Sequence, residues 1–299
     1  MKRLAERARV VRAVRAFFES RGFLEVETPA IVPSPGMDLH LDAYAVEGGF
    51  LITSPEYQMK RLLGQGHERI FQVCRCFRRG EIGAQHNPEF TMVEWYRGNT
   101  GVESVMADTE QLAAAVSGGE FRIGSRNIDA RPPFSRLTVC EAFERFAGVK
   151  RDDVLAWASS DEDRYFRTWV EAVEPRIAEM ERAVFVVDYP ASQASLARKK
   201  PSDPRFCERF ELYVAGVELC NGFGELTDAK EQRARFEADQ AARRARNLPV
   251  YPIDEKFLEA LERGLPPCAG NALGLDRLAA LACGTTDIRE VLAFSAGDV

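Results

Sequence analysis

The 299-residue chain predicts an α+β fold, a mixed and mainly antiparallel sheet with helices packed around it. Three observations carry that expectation. Strand-like runs are well separated and many are joined by hairpins or long excursions, the habit of antiparallel sheets. The regular β–α alternation of a doubly wound parallel sheet is missing. Apolar residues make up 45% of the chain, enough for a sizeable core.

In chain order, residues 2–19 read as a helix, because Leu4, Ala8, Val11, Val14 and Phe18 recur at three- and four-residue steps. Gly22 sits where a helix stop is expected. Phe23 to Val26 reads as a strand, ended by Thr28-Pro29, and a Pro/Gly-rich loop follows. Phe50 to Thr53 is a short strand, Ser54-Pro55 a turn and Glu56 to Leu63 a helix. Ile70 to Arg78 and Phe90 to Arg97 are longer strands flanking a loop. Residues 101–182 contain helical stretches and a weak strand but no recognisable motif. Val184 to Val187 is a β-branched strand, and Phe206 to Val214 with Val217 to Cys220 reads as a hairpin around Ala215-Gly216. Helices are expected at about 229–247 and 254–263. The Gly-studded strand Cys268 to Leu275 runs into a helix starting near Asp276.

Lys plus Arg is 40 and Asp plus Glu is 46, a net charge of −6. That balance is poor for gripping nucleic acid across the whole surface, which needs clustered cations. The local basic runs Arg198 to Lys200 and Arg243 to Arg246 read as solvated segments. Seven cysteines at irregular spacing, without a CxxC pair, give no disulfide framework, and Cys74 and Cys76 read as small buried residues. No run of about 18 apolar residues suits a membrane span. Without a signal-peptide pattern the expected compartment is the cytoplasm.

Three constellations carry chemistry. On the strand through Phe90, Met92, Glu94 and Tyr96, a period of two puts these four side chains on one face. An unpaired carboxylate is costly to bury, so that face is expected to line a polar pocket rather than pack as ordinary core. Glu211, Glu218 and Glu225 fall seven residues apart, with Asn221, Gly222 and Gly224 between the last two. Converging carboxylates suit hard cations held against phosphate, or a substrate ammonium. In Gly270 to Arg277, strand glycines admit a flat ligand or another backbone, and Arg277 at the following helix start is placed to meet phosphate. Neither GxGxxG nor GxxxxGK[ST] is present, so a nucleotide would be held by neither common loop.

Taken together, and in order, these segments resemble the motifs of class II aminoacyl-tRNA synthetases. Arg21-Gly22-Phe23 through Thr28-Pro29 resembles motif 1, Phe77-Arg78 with His86-Asn87-Pro88-Glu89-Phe90 resembles motif 2, and Gly270 to Arg277 resembles motif 3. Thr53-Ser54-Pro55-Glu56 and Glu218 through Glu225 look like the lysyl branch. Tyr189 to Ala197 and Val291 to Ser295 look instead like the elongation factor P–(R)-β-lysine ligase family, a truncated lysyl-tRNA synthetase paralogue. The resemblance implies a class II synthetase-like, mainly antiparallel sheet flanked by helices. It also implies a single catalytic domain over 1–299, without an anticodon-binding domain, and a homodimer built through motif 1.

The implied activity is an ATP- and Mg²⁺-dependent ligase. It activates a lysine-like amino acid, (R)-β-lysine, as an adenylate and transfers it to a lysine of elongation factor P, with no tRNA expected. Stand-alone tRNA charging and a degenerate, non-catalytic binding module are the alternatives. By resemblance, Arg78 and Arg277 are the catalytic cations. Arg78, Glu81, His86, Phe90, Glu218, Leu219, Gly274 and Arg277 bind ATP, with Phe90 beneath the adenine and Arg277 above it. Glu211 and Glu218 hold Mg²⁺. Ser54, Pro55, Glu56, Asn87, Glu94, Tyr96, Asn221, Glu225 and Ala272 bind the amino acid, Glu225 and Tyr96 taking its terminal ammonium. Two departures stand out. Gly80 occupies the place of the usual motif 2 glutamate, with Glu81 one residue on, and Ala272 replaces the glycine typical of lysyl enzymes. The extra methyl is expected to favour β-lysine over α-lysine.

Overall fold

The computed structural model describes residues 2–298. Nine strands form one sheet. In spatial order its main path runs Leu24–Glu25, Arg69–Phe77, Glu89–Gly98, Cys268–Gly274, Val217–Gly224, Asp203–Val214, Val184–Pro190, Ser135–Thr138, with Lys199–Lys200 added beside Asp203–Val214. Only the pairings at the two ends of this path are parallel; the remainder are antiparallel. The expected mixed, mainly antiparallel architecture is therefore present. The strands Glu89–Gly98, Cys268–Gly274 and Val217–Gly224, which carry residues of all three constellations, lie side by side although more than a hundred residues separate the first from the other two.

Strand alternation divides the sheet into two unlike faces. One presents Phe71, Val93, Trp95, Phe210, Leu212 and Leu273 to the main core, where helices Lys2–Glu19, Val102–Ser117 and Leu275–Ala282 cover them. The N-terminal helix meets this face through Val10, Val14, Phe17 and Phe18, whereas Leu4 and Ala8 point to solvent. The buried stripe is thus rotated from the expected one, because two adjacent phenylalanines offer more apolar area than Leu4 and Ala8.

The opposite face is covered only at its two sides. On one side, helices Glu56–Leu63 and Glu255–Arg263 stack Tyr57 on Phe257, ring centroids 4.7 Å apart, with Phe236 of Ala229–Ala245 beside them. On the other, helices from residues 139–178 pack Phe143, Tyr165 and Trp169 over Val184, Val186 and Tyr213. Between these groups a cavity of about 770 Å³ opens directly on the sheet.

One feature of the sequence reading needs correcting. Arg243 is fully buried rather than part of a solvated helix face. Its guanidinium donates to the carbonyls of Asp38, Leu39, Leu41 and Pro249 and pairs with Asp42 at 2.5 Å. A buried arginine with so many acceptors is satisfied, and here it clamps the 38–42 loop at the cavity edge. The run Arg198 to Lys200 is a partly exposed segment, as expected, and its members pair with Glu208, Glu231 and Asp188. All seven cysteines are free; Cys76 is buried and Cys74 partly so. Among the described residues no helix is long and apolar enough to cross a membrane.

Candidate active site

The strand Glu89–Gly98 supplies both ends of the site. It lies between Arg69–Phe77 and Cys268–Gly274, so it is central, and Met92, Glu94 and Tyr96 are all buried. Phe90, at its start, lines the cavity. The shared face predicted from the period of two therefore faces a polar site.

Cations gather at the Phe90 end. The Arg78 guanidinium lies 5.0 Å from the Phe90 ring centroid, and its Nη1 is 3.8 Å from Glu81 Oε1. Arg277 donates to the backbone carbonyls of Glu218 at 2.7 Å and Gln85 at 3.2 Å, and its Nη2 lies 2.9 Å from His86 Nε2. Burial, reinforced by the Arg277 charge, lowers the His86 pKa, so the ring is neutral and able to accept from the guanidinium. Asp276, which sequence reasoning missed, anchors this end. Its carboxylate accepts from Arg7 at 2.7 Å and from the backbone N–H of Thr91 at 2.7 Å, tying the motif 3 helix to the motif 2 strand. Every residue expected to bind ATP lines the cavity: Arg78, Glu81, His86, Phe90, Glu218, Leu219, Gly274 and Arg277. Gly80 adopts φ +85°, a left-handed conformation that favours glycine, and the chain then delivers Glu81 into the cavity.

The two candidate metal carboxylates are not equivalent. Glu211 is 5% exposed, and its oxygens are taken by Arg209 Nη2 at 2.6 Å and the Tyr213 hydroxyl at 2.8 Å. Glu218 accepts no side-chain hydrogen bond among the described residues, and burial with the neighbouring Glu211 charge raises it to about 7. Such a carboxylate gains from a cation. Glu218 thus fits Mg²⁺ directly, and Glu211 fits it through lone pairs left by its two donors. No group of three or more His, Cys, Asp or Glu suited to hold a metal occurs among the described residues, so phosphate oxygens or water would complete the shell.

Anions gather at the other end. Glu94 accepts from Ser54 Oγ at 2.7 Å and from the Tyr96 hydroxyl at 2.6 Å. Glu56 and Glu225 meet at Lys60, whose Nζ lies 2.6 Å and 2.5 Å from them. Lys60 is fully buried and was not picked out in the sequence, although the i,i+4 spacing from Glu56 on helix Glu56–Leu63 was the available signal. Burial disfavours its charge, but Glu225 and Glu56 outweigh that and hold the ammonium above its usual range. Two carboxylates therefore touch one protein cation, and Glu94 feels the same charge at longer range. Burial, with the charge of Glu56, pushes Glu94 up to about 7; burial pushes Glu225 to about 8 against the pull of Lys60.

This cluster is closed over by its own contacts: Ser54, Pro55, Glu56, Glu94, Tyr96 and Glu225 are together but do not line the open cavity. It adjoins the cavity through Ala272, the cross-strand partner of Glu94, which does line it. The space over Gly270 is filled by the Tyr96 ring and not left for a ligand, since a Cβ there would lie 2.2 Å from that ring and 2.8 Å from Glu225 Oε1. The two asparagines differ as well. Asn87 lines the cavity but spends its amide on the Glu89 carbonyl and the Ala296 N–H. Asn221 also lines it, and its buried Oδ1 has no partner.

Arg78 over the Phe90 ring with Arg277 on the same cavity at one end, and a lysine-bridged carboxylate cluster at the other, thus lie along one mainly antiparallel sheet. The family model for class II tRNA synthetases (D, K and N) matches residues 1–297, and the chain belongs to that family. Among its relatives, the elongation factor P–(R)-β-lysine ligase of Proteus mirabilis is 43% identical over 97% of this chain and 94% of its own. Proteins of the same name from Klebsiella pneumoniae and Salmonella dublin are 41% and 40% identical over 98% of this chain and 94% of theirs.

Proposed function

We propose that this chain is an ATP-dependent ligase that activates (R)-β-lysine as an aminoacyl-adenylate and passes it to a lysine side chain of elongation factor P. The observation that carries the reading is the charge count of the carboxylate cluster around Lys60. Three carboxylates against one lysine leave two negative charges when all are ionised, which matches the two ammonium groups of a diamino acid. Its similarity to proteins named as that ligase, at 40–43% identity over nearly the full length, supports the same substrate and acceptor.

In this reading Phe90 and Arg277 sandwich the adenine, and Arg78 stabilises charge on the α-phosphate as the substrate carboxylate attacks. Asn221 orients that carboxylate. Glu218, with Glu211 near it, would hold Mg²⁺, which would supply Lewis-acid stabilisation of the phosphates. Glu225 and Tyr96 take the terminal ammonium, and Glu56 and Glu94 the other. Ala272, beside Glu94, selects between α- and β-placement of the amino group. Leu24 on the outermost strand of the large sheet and Ile31 of the small three-stranded sheet, 52% and 51% exposed, suit a homodimer interface, and modification of a translation factor suits the cytoplasm.

Amino-acid-dependent ATP–pyrophosphate exchange with (R)-β-lysine and α-lysine side by side tests the reading. Exchange favouring β-lysine, followed by modification of elongation factor P, is expected. Preference for α-lysine with charging of tRNA would replace it, and no exchange with either would mean a binding module.

A further inference from the structure

The helical segment 162–178 belongs to the stretch without a recognisable motif, yet Glu162, Tyr165, Phe166, Trp169 and Val170 all line the cavity. They recur at three- and four-residue steps, the stripe of one helix face. Continued at 100° per residue, that stripe places Val173 on the cavity side and Glu174 at its edge. The helix instead widens over Trp169–Val173, where the Glu174 N–H donates to the Trp169 carbonyl five residues back. The extra residue turns Val173 into the core, where it is fully buried, and brings Glu174 onto the cavity wall. Widened turns of this kind often mark functional sites.

Glu174 arrives half-buried, with one oxygen accepting the Trp169 indole N–H at 3.2 Å, and it has no Lys or Arg partner among the described residues. Of the other acids on the cavity, Glu211 pairs with Arg209, Asp276 with Arg7 and Glu162 with Arg246, whereas Glu218, placed at the phosphate end, and Asp239 have no such pairing among the described residues. Burial and the Glu211 charge raise the Glu174 pKa while the indole lowers it, so a cation delivered here is favoured. On the same face Phe166 and Val170 are 36% and 56% exposed, so the wall continues to the molecular surface.

We propose that this wall is the binding site for the acceptor lysine, with Phe166, Val170 and Trp169 packing along its methylene chain and Glu174 receiving its ammonium. It rests on the reading above that the acceptor is a lysine of elongation factor P. The chemistry suits that group: a long apolar stem packs along the exposed Phe166 and Val170 face, and its ammonium gains a charge-assisted hydrogen bond to a carboxylate that has no Lys or Arg partner among the described residues. Neither the adenine nor the amino-acid carboxylate has use for such a wall.

The test compares the parent chain with Glu174→Gln and Glu174→Asp in three reactions: β-lysine-dependent pyrophosphate exchange, hydroxamate formation with hydroxylamine, and amide formation on intact elongation factor P. Hydroxylamine reacts uncharged and needs no ammonium site. Glu174→Gln is expected to lower the ratio of factor modification to exchange about tenfold or more, chiefly through KM for the factor, while the ratio of hydroxamate to exchange holds. Glu174→Asp is expected to recover part of the loss. An unchanged ratio in Glu174→Gln, or hydroxamate formation falling in step with factor modification, overturns the proposal. A parent that exchanges but leaves the factor unmodified refutes the acceptor reading and this site with it; a parent that does not exchange refutes the activation reading instead.

Discussion

At the arginine end of the cavity, Arg78 and Arg277 are held by a ring, backbone carbonyls and a neutral histidine, and both remain open to the cavity. At the carboxylate end, Glu94 and Glu225 are each 1% exposed, and Lys60 is enclosed between Glu56 and Glu225. Guanidinium groups are weakly hydrated and always charged, so they tolerate waiting in a half-open site for phosphate. Carboxylates taken out of water need an internal cation at once, and Lys60 is that cation. One end is therefore organised for a ligand's charge, while the other carries part of its neutralisation within the fold.

That contrast predicts opposite responses to losing one cation. Lys60→Met should destabilise the chain by about 3–5 kcal/mol, because removing one partner leaves buried charge uncompensated. Adding Glu225→Gln to it should recover a large part. Urea midpoints measure both, and a Lys60→Met chain as stable as the parent would erase the distinction between the ends. Arg78→Ala should do the reverse, lowering pyrophosphate exchange about 10²- to 10³-fold with a stability change within about 0.5 kcal/mol.

The pH dependence sharpens the same comparison. Glu94 and Glu225, raised to about 7 and about 8 in the fold, would titrate near 4.3 when unfolded. Between about pH 4.5 and 8 the folded chain holds the extra protons, so stability should fall as pH rises, by up to about 1.4 kcal/mol per pH unit for each proton. Thermal unfolding from pH 5 to 8 measures the slope. Glu94→Gln should flatten it, and added β-lysine should offset it most at the alkaline side.

Two smaller effects probe the cavity wall. Ala272→Gly should shift the β-lysine to α-lysine preference in exchange about tenfold towards α-lysine, the scale of one methyl in a pocket. Gly80→Glu should cost about 1 kcal/mol, since residue 80 is left-handed, and should leave the KM for ATP unimproved because Glu81 already lines the cavity. A clear gain in ATP affinity would show that position 80, not 81, is where a carboxylate is needed.

Much of this site was legible because its residues sit in strands with unambiguous alternation. The helix Glu56–Leu63 and the strands around Glu94 and Asn271 fall within a residue or two of expectation, and Phe90, Met92, Glu94 and Tyr96 share a face as predicted. Lys60 was missed because an amphipathic helix with Glu56 and Lys60 four apart looks like an ordinary solvated pair. Arg243 was misread for the same reason: a basic run carries no sign of the carbonyls that will surround one member. The 162–178 wall was invisible because a widened helical turn has no residue signature, and its effect is to reassign one position between core and cavity.

Sequence alone determined the strand alternation, the class of sheet, the family resemblance and the set of charged residues available for chemistry, since these depend on local periodicity and residue type. Only the tertiary structure decided how those charges are distributed. It placed Lys60 between two glutamates, occupied Glu211 while leaving Glu218 open, and turned Glu174 towards the cavity. Electrostatic energy depends on separation and burial, and neither is a property of position along a chain.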